Sequence, residues 1–515
     1  MATKRVSGRW GVTVAAGALV LSACGSGEGV DVDEGLGEQG GPEGGTLVAA
    51  ISSRPDQLDP HRTTAYPSFQ VLENVYDTLV VPNPDDLTYS PSLAEEWETS
   101  DDGLTWTFTL REGVTFHDGS EFDSADVVYS FNRIIDEELA NAFRFATVES
   151  VEAPDERTVE LRLADPTPNL LDNVGSFKGM AIVPEGAAEE LDLATEAVGT
   201  GPFTLESSSA GAITLAAYED YWGDGPYVDE VEFRFVSEPT AALTALQSGD
   251  VHWTDNVPPQ QVESLGDDAS VELGVTPSVD YWYLAMNHAQ APFDDVEVRR
   301  AVAYGIDIAD VTEAARFGAA TPNQTAIPQD SFWYYDYAPF ERDVEEAASL
   351  LEGAGVSDLS MGLMVTDEFP ETVQAAQVVA AQLEEVGISV QIQQEDFATW
   401  LDRQGQGDFD AFLLGWLGNL DPFGFYHAQH VCDGPNNFHG YCNEEVTSLL
   451  EQAATETDED ARKALYDEAV TGIVDDVSYL YLYNPDVVQA WRPGLAGYEI
   501  RADRAINFEA VRLPE

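Results

Sequence analysis

Lysine is nearly missing from this chain. Of 515 residues only Lys4, Lys178 and Lys463 are lysines, and arginine brings the basic total to 23 against 94 acids. That scarcity excludes a nucleic-acid partner, because phosphate backbones are bound by clustered Lys and Arg. Cysteine occurs three times and histidine seven. After residue 24 no apolar run approaches the ~20 residues that a membrane-crossing helix needs. The zinc-hydrolase motif HExxH, the nucleophile elbow GxSxG and the Walker phosphate loop are also absent, which points away from catalysis.

What is present is acid. The formal charge is −71, and removing residues 1–23, which hold three basic and no acidic residues, takes it to −74. Self-repulsion on this scale opposes a compact state, and salt relieves it: the screening length falls to about 3 Å at 1 M. The acids spread along the whole chain, so a salty exterior accounts for them better than a specific cation site does.

The N-terminus gives the compartment. Lys4, Arg5 and Arg9 precede the short apolar run "WGVTVAAGALVLSAC", the pattern of an exported signal segment over residues 1–23. Its end, "LSAC", resembles the bacterial lipobox, which makes Cys24 the lipidated first residue. Residues 24–45 then form a Gly-rich acidic tether, with a mean reach of roughly 25 Å. The expected location is the outer face of the cytoplasmic membrane, held there by lipid.

About 470 residues remain, enough for two or three lobes. "LTWTFTL", "TVELRL" and "VEFRFV" alternate as strands. "SADVVYSFNRII" reads as a helix capped by Ser124, and Asp343 caps "VEEAASLLEGAG". "ETVQAAQVVAAQLEEVG" is an amphipathic helix stopped by Gly387, followed at once by the strand "ISVQIQQ". The class is α/β, with soft boundaries near Val275 and Tyr479.

The stretch "HAQHVCDGPNNFHGYC" offers His427, His430, Cys432, His439 and Cys442 as zinc ligands, which would suit a secreted metal-dependent enzyme. The spacings match no standard zinc module, and "DGPNN" is turn chemistry. In an oxidising compartment a Cys432–Cys442 disulfide is favoured over a metal site. Closing a loop of about 11 residues contributes roughly 2.5–3 kcal/mol, less any strain.

Four segments, in order, carry a family resemblance: "LAEEWETSDDGLTWTFTLREGVTFHDGSEFDSADVVYSF", "GTGPFTL…YEDYWGDGPYVDEVEFRF", "MNHAQAPFDDVEVRRAVAYGID" and "GDFDAFLLGWLGNLDPFGFYH". Together they resemble extracellular solute-binding protein family 5, the oligopeptide-, dipeptide- and nickel-binding subunits of ABC importers. The resemblance spans roughly residues 46–515. It implies a periplasmic-binding-protein-like two-lobe cleft fold (class II, cluster C) with an insert domain. Lobe I would comprise 46–75, 176–275 and 479–515, the insert 76–175, and lobe II 276–478. It further implies a non-catalytic monomer without cofactor that captures a peptide or peptide-like solute by hinge closure. The partners would be an ABC permease with its ATPase. The alternatives are the metal-dependent enzyme, or a surface receptor or binder for a neutral or sugar-like solute.

The resemblance also implies site residues. Tyr281 and Tyr283 would face the cleft, Phe397 with Trp400 would line it, and Trp416 and Asn436 would meet ligand. Peptide binders usually carry, three residues after that tryptophan, an Asp that pairs with the peptide's α-ammonium. Here that position is Asn419, and Asp421 two residues on is the expected replacement counter-charge. The family's carboxylate-binding arginines have no clean counterpart: Leu413 and Gln404 stand in their places, with Arg403 adjacent.

With this charge, folding stability is expected to rise steeply as NaCl or KCl approaches molar concentration. Melting temperatures measured in dilute buffer and in molar salt check it, and equal values would remove the halophilic reading.

Overall fold

The computed structural model describes residues 43–83, 88–266, 268–366 and 368–514, less the side chains of 178 and 179. The expected signal segment, Cys24 and the tether as far as residue 42 lie outside the described residues.

Alternation builds the smaller layer. Trp106, Phe108 and Leu110 of strand Thr105–Leu110 turn inward, as do Val159, Leu161 and Leu163 of Thr158–Leu163. The two pair within an antiparallel sheet ordered Ala94–Thr99, Thr105–Leu110, Thr158–Leu163, Val148–Asp155. Helix Ser124–Asp136 closes this core with Val127, Phe131 and Ile134. Its cap differs from expectation by one residue. Asp123, not Ser124, caps the helix through a reciprocal box with Asp126. Ser124 is the first helical residue and sends its hydroxyl to the Asp155 carbonyl instead.

The larger sheet has twelve strands among the described residues. Ten lie in order across it: Ile388–Glu395, Leu359–Thr366, Ala411–Trp416, Tyr281–Met286, Tyr479–Trp491, Trp253–Thr254, Thr46–Ile51, Glu230–Phe235, Ala212–Ala217 and Phe203–Ser208; the other two, Glu272–Pro277 and Ala320–Pro322, pair with Tyr479–Trp491 off this path. The 13-residue strand Tyr479–Trp491 joins its two halves. Its first part pairs with Tyr281–Met286, and its last part with Glu272–Pro277 and Trp253–Thr254. Between the two parts, Asn484 donates to the carbonyls of Asp280 and Ala326. Asp343 caps helix Val344–Gly353 as expected. Gly387, at φ +86°, ends the turn after helix Pro370–Glu385.

Four hydrophobic cores result among the described residues. The largest lies within 279–483. A second gathers 47–76, 181–233, Trp253 and 495–511. A third lies within 79–182 beside the small sheet. The fourth packs 242–271 against Val48, Ala50 and Ala490. A buried ion pair ties the second and third together: Arg133 reaches both oxygens of Asp59, at 3.0 and 2.6 Å. The architecture is α/β, with its cores meeting around a common gap.

Candidate functional site

Two adjoining cavities open where the cores meet. One, of about 490 Å³, is lined by Tyr89, Trp333, Asp421, Phe425 and Arg462 among others. The other, of about 160 Å³, is lined by Tyr76, Asp77, Trp222, Arg501 and Ile506 among others. They share Asp172, Val279, Asn419 and Leu420. The junction of the two is therefore a short list of side chains.

Asp172 lies on helix Leu170–Gly175. The helix approaches Tyr89 closely because its last residue is glycine. A Cβ on Gly175 would come within 2.6 Å of Val80 and 3.0 Å of the Tyr89 ring. Tyr89 donates its hydroxyl to Asp172 Oδ1 at 2.9 Å, and the Leu420 N–H donates to the same oxygen at 3.3 Å. Oδ2 faces Arg144 Nη1 at 3.6 Å, which is too long for a hydrogen bond. Burial raises the Asp172 carboxyl above its ordinary range, while the Arg144 charge pulls it back.

Arg144 makes only long contacts. Nη1 donates to the Asp172 carbonyl and Nη2 to Asn419 Oδ1, both at 3.4 Å. Its buried Nε has no partner among the described residues. Asn419 is half-buried, and its amide packs so closely on the next helix that a Cβ on Gly424 would run into it.

Asp421, the expected counter-charge, is already engaged. It caps helix Pro422–His430 by accepting from the Phe423 N–H. Its two oxygens take a bidentate pair from Arg462 at 2.6 and 2.7 Å. Trp333 and Tyr466 flank that guanidinium. Asp421 lines the larger cavity, but its charge is already answered.

The expected aromatics sit away from these two cavities. Tyr281 and Tyr283 are buried in the largest core and line neither cavity. Tyr281 donates to Gln429 Oε1 at 2.8 Å, and Tyr283 stacks on Tyr479 with ring centroids 4.0 Å apart. Strand alternation puts the intervening Trp282 on the opposite face, half-buried between Tyr483 and Phe369. Trp400 is fully buried against Phe412, with half-buried Phe397 between it and Phe369. Trp416 and Asn436 are half-buried, and neither lines these two cavities. Of the eight residues expected at ligand, Asn419 and Asp421 are the two that do. Leu413 is core, Gln404 is buried, and Arg403 pairs with Glu395 and Asp408.

The histidine and cysteine segment is packed structure. Cys432 and Cys442 are joined in a disulfide. His430 and His439 are fully buried and share the Ser478 hydroxyl at 2.8 and 2.9 Å, and His430 also meets the Tyr481 hydroxyl. His427 stacks on Phe423. Burial, reinforced by neighbouring His288, pushes His430 down to about 3, so its ring is neutral at ordinary pH.

Sequence reading missed Asp172, Arg144, Tyr89 and Arg462. In "PNLLDNVG" the one acid amid apolar residues is the sole signal for Asp172, and it is invisible in a chain with 94 acids.

If Asp421 is structural, Asp421→Ala should lose both the helix cap and the partner of a buried guanidinium. The expected loss is about 3–5 kcal/mol in denaturant unfolding at constant salt. A variant as stable as wild type would reopen the case for Asp421 as a free counter-charge.

Comparison with known proteins agrees with this geometry. A family profile described as bacterial extracellular solute-binding proteins, family 5 middle, matches residues 88–437. The probable D,D-dipeptide-binding periplasmic protein DdpA of Escherichia coli (strain K12) is 28% identical over 472 residues, 88% of this chain and 91% of its own. The ABC transporter-associated periplasmic binding protein DppA of Helicobacter pylori, solved in complex with peptide STSA, superposes with a TM-score of 0.80. It is 27% identical and covers 92% of this chain and 99% of its own. AgaA of A. tumefaciens R10, in complex with agropinic acid, gives 0.79 at 27% identity over 92% and 99%. The fold is therefore the two-lobe cleft fold of periplasmic binding proteins. With more than half of its length matched, and with two cavities at the meeting of its cores, the chain belongs to the bacterial extracellular solute-binding proteins, family 5.

Proposed function

We propose that this chain captures a peptide or peptide-like solute outside the cell and delivers it to the permease of an ABC importer. The observation that carries the reading is the pair of cavities meeting at Asp172 and Asn419, walled by residues from separate cores. The D,D-dipeptide-binding relative and the peptide-bound neighbour support the same solute class. In this reading the protein binds and releases, and catalyses nothing.

Lobe I would be 46–75, 176–275 and 479–515, the insert 76–175, and lobe II 276–478. Strand Tyr479–Trp491, which pairs with strands of both halves of the large sheet, would serve as a hinge. Closure would bring the half-buried Trp416, Phe397 and Asn436 toward a ligand already held at Asn419. The protein would act as a monomer, with residues 1–23 removed and Cys24 lipidated. The neutral amide of Asn419 favours a second reading, a neutral or sugar-like solute stacked on aromatic rings.

Thermal melting against a panel of di- to pentapeptides and a panel of sugars, with calorimetry on the hits, separates the two. A peptide present at 100 times its Kd should add about 2.7 kcal/mol of stability. Binding of sugars with no response to any peptide would reject the peptide reading. For the anchor, wild type should fractionate with membranes and Cys24→Ser should move to the soluble fraction. Unchanged membrane retention in Cys24→Ser would count against lipidation.

A further inference from the structure

We propose that Asp172 is the carboxylate that receives the cationic nitrogen of the bound solute, a primary ammonium carried on an apolar or peptidic body. This inference rests on the solute-binding reading above and deepens it by naming the ligand group and its partner.

The case begins with the acids that line the cavities. Asp172 is the acid common to both. In the larger cavity, Asp421 is closed by its bidentate bonds to Arg462, and Asp330 and Glu459 are exposed. In the smaller, Glu73 accepts from the Ile506 N–H, Asp77 accepts from Trp222 and Thr200, Asp503 pairs with Arg501, and Glu509 accepts from Tyr221. Asp77 also takes both its bonds on one oxygen, but Asp172 is set apart by lining both cavities beside Asn419. It is buried at the junction, one oxygen takes the two hydrogen bonds from Tyr89 and Leu420, and the other faces a cation held at 3.6 Å. A carboxylate has about four acceptor sites, so Asp172 keeps capacity for a donor arriving from the cavity.

The surroundings suit an ammonium. Its three donors can be shared between Asp172 Oδ2 and Asn419 Oδ1, because the bond Asn419 now accepts from Arg144 is a long one, at 3.4 Å. Tyr89, Trp333 and Phe425 line the same cavity and offer apolar and ring surface to the rest of the solute. Phe332, also in the lining, is 53% exposed and meets the Trp333 ring edge-on at 5.0 Å. In molar salt the net charge of the chain cannot steer a cation over distance, since screening acts within about 3 Å. A partner in direct contact is required, and Asp172 is placed to be one. Arg144 is the competitor: it sits beside the same carboxylate through long contacts only, so an ammonium has a weak pair to displace.

Calorimetry at pH 8 in molar salt, with the twenty X-Leu dipeptides and their N-acetylated forms as probes, tests the assignment. Wild type should bind the free amines at least about 10-fold more tightly than the acetylated forms, and Asp172→Asn should erase that preference, an effect of about 10- to 100-fold. Arg144→Gln removes the competing cation and should enlarge the preference, which keeps the test open if Asp172→Asn fails to fold. An amine preference that survives in Asp172→Asn overturns the assignment. So does equal binding of free and acetylated forms by wild type, or a preference unchanged in Arg144→Gln. No binding of any probe by folded wild type would instead sink the peptide reading, and this inference with it.

Discussion

A buried carboxylate in this chain has few cations to choose from, and where it finds one that pair helps hold the parts together. Asp59 takes Arg133 through two bonds and ties the first-strand core to helix Ser124–Asp136. Asp280, at the start of the tyrosine strand, takes Arg504 from the C-terminal segment at 3.1 Å. Asp421 takes Arg462 and fixes the helix that follows the Asn419 loop. Breaking one side of such a pair leaves an uncompensated buried charge, which costs about 3–5 kcal/mol. The exposed acids are a different matter, because they stay hydrated and dissolved salt can screen them. Within this arrangement Asp172 stands out as the buried acid whose arginine does not reach hydrogen-bond distance.

That contrast connects stability to binding. A short bidentate pair such as Asp421–Arg462 has little left to offer a ligand, whereas a long pair at a cavity wall does. The sheet arrangement puts the long pair where it matters. Strand Tyr479–Trp491 pairs with strands of both halves of the large sheet, so one continuous backbone joins them. Tyr89 and Asp172, with Arg144 beside them, stand on one side of the larger cavity, and the loop after strand Ala411–Trp416 brings Asn419 and Leu420 to meet them.

Much of the fold was legible in the sequence because strand alternation and helix periodicity are local. Phe108, Val159 and Phe233 are buried as their patterns require, and Asp343 caps the helix it precedes. The Ser124 cap was misplaced by one residue because an aspartate with a reciprocal partner three positions on was available. The site was less legible. The aromatic strand 281–286 announces rings, but which parity faces the core depends on the neighbours Phe425 and Tyr481, far away in sequence. Asp421 looked free because Arg462 lies 41 residues later. Asp172 gave no signal because its importance comes from what its neighbours fail to do.

The most direct measurement is a crystal structure of the wild-type protein with the tightest-binding free-amine dipeptide. The account predicts that the peptide's terminal nitrogen lies within about 3 Å of an Asp172 carboxylate oxygen, with Asp421 still held by Arg462. A terminal nitrogen resting against Asn419 alone, or against an Asp421 released from Arg462, would contradict it.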